Sequence, residues 1–189
     1  MSYNPRKYWS NRSDPNSYET NNNKKILSEE KSFIREEILN LKNVCVIGPG
    51  DGRIIDAYSN KQITFIDITE NYKQKLLRKF TETGNLGSNF SFFVVENINN
   101  LSDFDDNQFD VLICSHVLLH VRKEDIVSTI KELSRISKKI VGISLFKPYK
   151  TSASHVFVHD YEKICNDLSL KIEKKFVKDS GQTRFVITK

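Results

Sequence analysis

The first thing this sequence lacks is apolar length. No run approaches the ~18 apolar residues that a membrane-spanning helix needs, and the polar N-terminus carries no apolar segment of a secretion signal. The expectation is a cytoplasmic protein with no membrane partner. Cysteine is scarce too. Cys45, Cys114 and Cys165 are the whole complement, and none stands in a C-x-x-C pair. Buried, reduced thiols follow, with no redox motif and no metal expected. Charge of one sign is not concentrated. The net charge is +5 with 28% charged residues of both signs, as an ordinary solvated surface requires. Lys24-Lys25, Lys138-Lys139 and Lys174-Lys175 are scattered, and a helical cluster at Lys73, Lys75, Arg78 and Lys79 reads as a solvated face. RNA stays open as a partner on sign alone. No internal repeat is present. At 189 residues the chain is one domain with a single core and little room for a separate substrate domain.

What is present begins with Val44-Cys45-Val46-Ile47-Gly48-Pro49-Gly50-Asp51-Gly52. A short apolar run ends in glycines at alternate positions, where the backbone can take φ > 0 and a ligand can approach closely. A second apolar run, Ile63-Thr64-Phe65-Ile66, ends at Asp67, nineteen residues beyond Gly48. A carboxylate closing that strand can accept hydrogen bonds from a ribose diol. The two features together predict a nucleoside pocket at the carboxyl ends of parallel strands. The dinucleotide fingerprint G-x-G-x-x-G does not fit, because Arg53 stands where its last glycine belongs.

Around these motifs strands and helices alternate. Strands are expected at 43–47, 62–67, 90–95, 109–114 and 140–145, with helices at 28–41, 51–58, 70–83, 123–136 and 160–168. Ser28 is the expected N-cap of the first helix, and Gly84-Asn85-Leu86-Gly87 the expected end of the third. Two last strands, 171–177 and 184–188, are joined by too few residues for a parallel crossover and predict an antiparallel hairpin. The fold class is α/β: a Rossmann-like, doubly wound seven-stranded sheet, mostly parallel, closing in that hairpin. Residues 1–25, polar but bearing Tyr3, Tyr8, Trp9 and Tyr18, read as an N-terminal arm or lid on a single domain of residues 26–189.

The pattern G-x-G-x-G resembles motif I of the class I S-adenosylmethionine-dependent methyltransferases, and the likeness extends through residues 43–145 to small-molecule members of type 11. It implies S-adenosylmethionine as cofactor and S-adenosylhomocysteine as product. Gly48, Gly50 and Gly52 match the motif glycines. The family's usual acid two residues before the first glycine is here Val46, and Asp51 either substitutes for it or caps the following helix. Asp67 matches the ribose-gripping acid. Glu96 and Asn97 stand where the family meets the adenine amino group, and Ile68 and Ile98 can flank the base. The run Phe109 to Val121 resembles the fourth strand and its following turn, which implies Ser115 and His116 at the methyl-donor end and His120 as structural. No D/N-P-P-Y/F run occurs there, against methylation of DNA bases.

His155 and His159 follow strand five in a segment that overhangs the pocket. If it is extended, both histidines and Phe157 point one way. His116 and His155 are the candidate catalytic bases, with His159, Tyr8 and Trp9 as candidate substrate contacts. A histidine suits proton removal from a hydroxyl or ammonium near neutrality. The expected activity is methyl transfer to oxygen or nitrogen of a small-molecule acceptor. A methyltransferase-like binding subunit of weak catalysis and an RNA or protein methyltransferase are the alternatives, and a nicotinamide reductase is disfavoured by Arg53. The acceptor and the oligomeric state are not legible.

Overall fold

The computed structural model describes residues 3–12, 21–58, 61–82, 89–146, 150–178 and 182–189. Two helices open the chain. The first, α1 (Pro5–Ser10), is set by Asn4, whose side chain accepts from Lys7 N at 2.9 Å, and by Pro5 at the first helical position. The second, α2 (Asn21–Ile38), starts a full two turns before the expected Ser28. Ser28 therefore lies in the helix interior and caps nothing. The reason is packing: Leu27 extends the stripe of Phe33, Ile34 and Ile38 onto the sheet. The arm and the domain thus share α2, which crosses the expected boundary at residue 25.

Then follow β1 (Asn43–Ile47), β2 (Gln62–Asp67), α3 (Lys73–Glu82), β3 (Phe90–Val94), β4 (Val111–Ser115), α4 (Ile126–Ile136), β5 (Lys139–Leu145), α5 (Tyr161–Asp167), β6 (Lys171–Val177) and β7 (Gln182–Thr188). The expected helix at 51–58 is only a 3-10 helix, Ile55–Tyr58. Gly50 and Gly52 hold φ of +54° and +82°, so no right-handed helix can begin before them. The expected helix stop at 84–87 lies outside the described residues.

The seven strands run in the order β3-β2-β1-β4-β5-β7-β6. The first five are parallel, and β7 lies antiparallel between β5 and β6. Alternation along β1 sends Val44 and Val46 to one face and Cys45 and Ile47 to the other. Val44 and Val46 pack with α2 and α3, Cys45 and Ile47 with α4 and α5. In α4 the spacing of Ile126, Ile130, Leu133 and Ile136 supplies the apolar stripe. All three cysteines are buried and free. The strand order reverses between β1 and β4, which opens a crevice at their carboxyl ends.

Candidate active site

That crevice holds a cavity of about 1320 Å³ lined by the glycine turn, the ends of β2 and β4, and α1 and α2. The turn leaves β1 at Gly48, whose N–H donates to Ile66 O at 2.8 Å and ties it to β2. Gly48 has φ +59°, and a Cβ there would lie 2.6 Å from Val117 Cγ2. Gly50 has φ +54°, and a Cβ on it would meet nothing within 4 Å. Its bare backbone therefore faces open cavity, where a ligand can lie against it.

Asp67 ends β2 beside this turn and is 8% exposed. Burial pushes its carboxyl up to about 6, against the backbone N–H groups of Thr69, Ile68 and Gly50 that favour the charge. No cation pairs with it among the described residues. It makes an Asx turn with Thr69 N at 3.1 Å and does not cap α3, which starts at Lys73. Asp51, in the glycine turn, is held by Lys79 Nζ at 3.0 Å. Ile68, Ile98, Glu96 and Asn97 line the far side of the cavity, and Asn97 Oδ1 accepts from Asn99 N at 3.3 Å.

The opposite end contains a buried charge that the sequence reading missed. Glu30 of α2 is 1% exposed. Its Oε2 accepts from Arg53 Nη2 at 2.9 Å, and its Oε1 lies 2.8 Å from His116 Nε2 and 2.7 Å from Gln182 Nε2. Desolvation works to raise its pKa, but His116, Arg53 and Gln182 outweigh that and hold the carboxylate below its ordinary range. A carboxylate only accepts, so His116 donates from Nε2–H and the 3.2 Å between His116 Nε2 and Gln182 Nε2 is two donors sharing one acceptor. His116 Nδ1 has no partner among the described residues. The backbone at His116 is left-handed, φ +59°, pinned by its N–H to Ile143 O at 2.8 Å. A non-glycine residue there is strained, and such strain gathers at working sites. Ser115 Oγ accepts from Arg53 Nη2 at 3.3 Å, which joins the end of β4 to the same network. The signal for Glu30 was available: an acid one turn before Ile34, on the apolar stripe of α2.

The arm closes the remaining side. Asn71 Nδ2 donates to Trp9 O at 3.1 Å, and Tyr72 OH donates to Arg12 O at 2.8 Å, fastening α1 over the loop after β2. Trp9 meets the His120 ring edge-on at 4.9 Å, and Tyr8 stacks on His155 at 4.8 Å. His155 also stacks with His120, at 5.5 Å and 10°. His120 Nδ1 donates to His155 O at 2.8 Å, and burial drives its pKa down to about 4. His155 lines the cavity under the arm, whereas His116 sits beside Arg53 and Ser115.

His159 is elsewhere. It is 3% exposed, and its Nε2–H is shared between Leu118 O at 3.1 Å and Val121 O at 3.0 Å. It braces the turn after β4 and does not line the cavity, so its expected substrate contact is corrected to a structural one. The cause is a turn at residues 154–155, closed by Val156 N to Ala153 O, which breaks the alternation expected of an extended segment. The ring nitrogens of His116, His120 and His159 are engaged by Glu30 and by backbone carbonyls.

The architecture is widely shared. The chain is similar over its whole length (100%, and 98% of the other chain) to magnesium protoporphyrin IX methyltransferase from Synechocystis PCC 6803 with bound SAM, at 15% identity and TM-score 0.73. It is similar to the PH0226 protein of Pyrococcus horikoshii OT3 at 14% identity and TM-score 0.70, over 96% of this chain and 98% of that one. The [4+2]-cyclase SpnF matches at 13% identity and TM-score 0.68, over 85% of this chain and 80% of that one. The fold therefore does not fix the chemistry. No curated protein matches this chain in sequence. Residues 45–141, more than half of the chain, match the family model described as a methyltransferase domain, and they include the glycine turn, Asp67, Ser115 and His116. The chain belongs to the methyltransferase domain family.

Proposed function

We propose that this chain transfers a methyl group from S-adenosylmethionine to an oxygen or nitrogen atom of a small-molecule acceptor. The observation that carries the reading is Asp67: a buried carboxylate with no cation on it among the described residues, placed beside the open side of Gly50. A buried acid of this kind wants hydrogen-bond donors from a ligand, and a ribose diol supplies two. The cofactor fits the residues present. Gly48, Gly50 and Gly52 would take its methionine tail, Asp67 its ribose, Ile68 and Ile98 the faces of its base, and Glu96 or Asn97 the adenine amine. Ser115 and Asp51 would complete the methyl-donor end. When bound, S-adenosylmethionine supplies an activated methyl group.

The chain's own work is alignment and proton removal. Alignment alone can be worth about 7–11 kcal/mol of barrier. His116 is the base. Its Nε2–H is committed to Glu30, so Nδ1 takes the proton that the acceptor's hydroxyl or ammonium must lose. The resulting imidazolium is stabilised by the Glu30 carboxylate at 2.8 Å. His155, stacked with Tyr8 and His120, serves the acceptor wall, and Tyr8 and Trp9 form the lid that excludes water.

Calorimetry with S-adenosylmethionine and S-adenosylhomocysteine tests the first step, followed by methylation of a panel of hydroxyl and amine compounds. Binding of NADH in preference to either nucleoside would overturn the proposal. Cofactor binding with no methylation across the panel would favour a binding subunit instead.

A further inference from the structure

The acceptor end of the cavity carries a positive charge that no carboxylate among the described residues compensates. Most cations on the wall are paired: Lys31 with Asp56 at 2.9 Å, Arg53 with Glu30 at 2.9 Å, Lys79 with Asp51 at 3.0 Å and Arg122 with Asp125 at 2.6 Å. Arg12 is not. Among the described residues no carboxylate lies within ion-pairing range of it. Its Nη1 donates to Tyr8 OH at 2.6 Å, and its guanidinium carbon stands 5.4 Å from the Tyr8 ring and 5.6 Å from the Trp9 ring. The side chain is half-buried and lines the cavity. Exposed Arg6 and Lys24 also line the cavity and carry charge of the same sign.

The surfaces around Arg12 are flat. Trp9, His120 and His155 line this end, and the His155 ring stacks with Tyr8 at 4.8 Å and with His120 at 5.5 Å. Aromatic walls favour a planar, polarisable ligand body. A guanidinium with no carboxylate partner among the described residues favours an oxyanion, which it can bind with two donors. There is room for a second molecule: the cavity of about 1320 Å³ exceeds the roughly 300–1,000 Å³ that serves one drug-sized ligand.

We propose that the acceptor is a planar aromatic compound bearing a carboxylate or phosphate, with its anionic group on Arg12 and its ring against Trp9. The word acceptor rests on the methyl-transfer reading; the anion site itself does not. Trp9 is the chain's single tryptophan, so its fluorescence reports this end of the cavity alone.

The test titrates the protein, saturated with S-adenosylhomocysteine, with benzoate, phenyl phosphate and the neutral benzamide. The expected result is that an anionic probe binds about tenfold or more tightly than benzamide, the size of a charged hydrogen bond. Arg12→Gln removes that preference while leaving benzamide and S-adenosylhomocysteine affinities in place. Arg12→Lys, which keeps the charge, retains part of it. The tighter of the two anions identifies the carboxylate or the phosphate. Equal binding of benzoate, phenyl phosphate and benzamide to the wild-type protein overturns the proposal. So does an Arg12→Gln variant that keeps the preference, or one whose nucleoside affinity falls in step, since Arg12 would then only fasten the arm. If the nucleoside does not bind the wild-type protein, the methyl-transfer reading fails, and the same comparison without nucleoside still decides the anion site.

Discussion

Replacing Asp67 with asparagine separates the cost of this site to the fold from its use to the ligand. In the folded chain burial raises the carboxyl from 3.8 to about 6. Each pK unit is 1.36 kcal/mol, so a charged Asp67 costs the fold about 2–3 kcal/mol at neutral pH. The sign follows from the raised value. Below about pH 4 Asp67 is protonated in both states and costs nothing. Between about pH 4 and pH 6 the unfolded chain ionises while the folded one resists, so stability falls as pH rises. Above that window the full cost applies. Asp67→Asn has no proton to lose. It forfeits part of the acceptance from Thr69, Ile68 and Gly50 at every pH, which makes its absolute stability a poor readout. The difference between variant and wild type is the clean one. Urea unfolding at pH 4 and pH 7 should show the variant gaining about 2–3 kcal/mol on the wild type between them. At pH 7 the same variant should bind S-adenosylhomocysteine more weakly by about 1.5–3 kcal/mol, the worth of hydrogen bonds to a charged group. Wild-type affinity should also fall below about pH 6, because the ligand must then displace a proton. Parallel stability curves for the two proteins would refute the desolvation argument. Unchanged nucleoside affinity would remove Asp67 from the ribose.

Three further outcomes are expected. His116→Asn should lower turnover by about 10²–10⁴, the usual worth of a general base, with nucleoside affinity retained in calorimetry; an equal loss of both would make His116 a structural residue. Glu30→Ala should destabilise the fold by about 1–3 kcal/mol in urea unfolding, because it leaves the part-buried donors of Arg53, His116 and Gln182 without their shared acceptor. Gly48→Ala should cost about 1–2 kcal/mol for its left-handed φ and a further 1–3 kcal/mol for the clash with Val117, and a second change, Val117→Ala, should recover only the clash.

The sequence by itself determined the local chemistry and the layer order. Alternating apolar runs specify strands whatever lies across from them, and the short link after Val177 allows only an antiparallel return, as β6 and β7 have. Spacing alone places Gly48, Gly50 and Asp67 at the ends of neighbouring strands, because a βαβ unit has a fixed reach. The Asn4-Pro5 pair, which starts α1, was equally available as a local signal and went unread. Other features depend on which distant segments meet. Glu30 and Gln182 are 152 residues apart and become partners only when α2 packs beside β7. The start of α2 was set by Leu27 finding the core, against the local preference of Ser28 for a cap. His155 and His159 look equivalent in the chain, yet the first sits in a turn under the arm while the second is buried against the carbonyls of Leu118 and Val121. Spacing along a chain carries no information about burial or about partners brought from afar, and those decide what a buried acid or an imidazole can do.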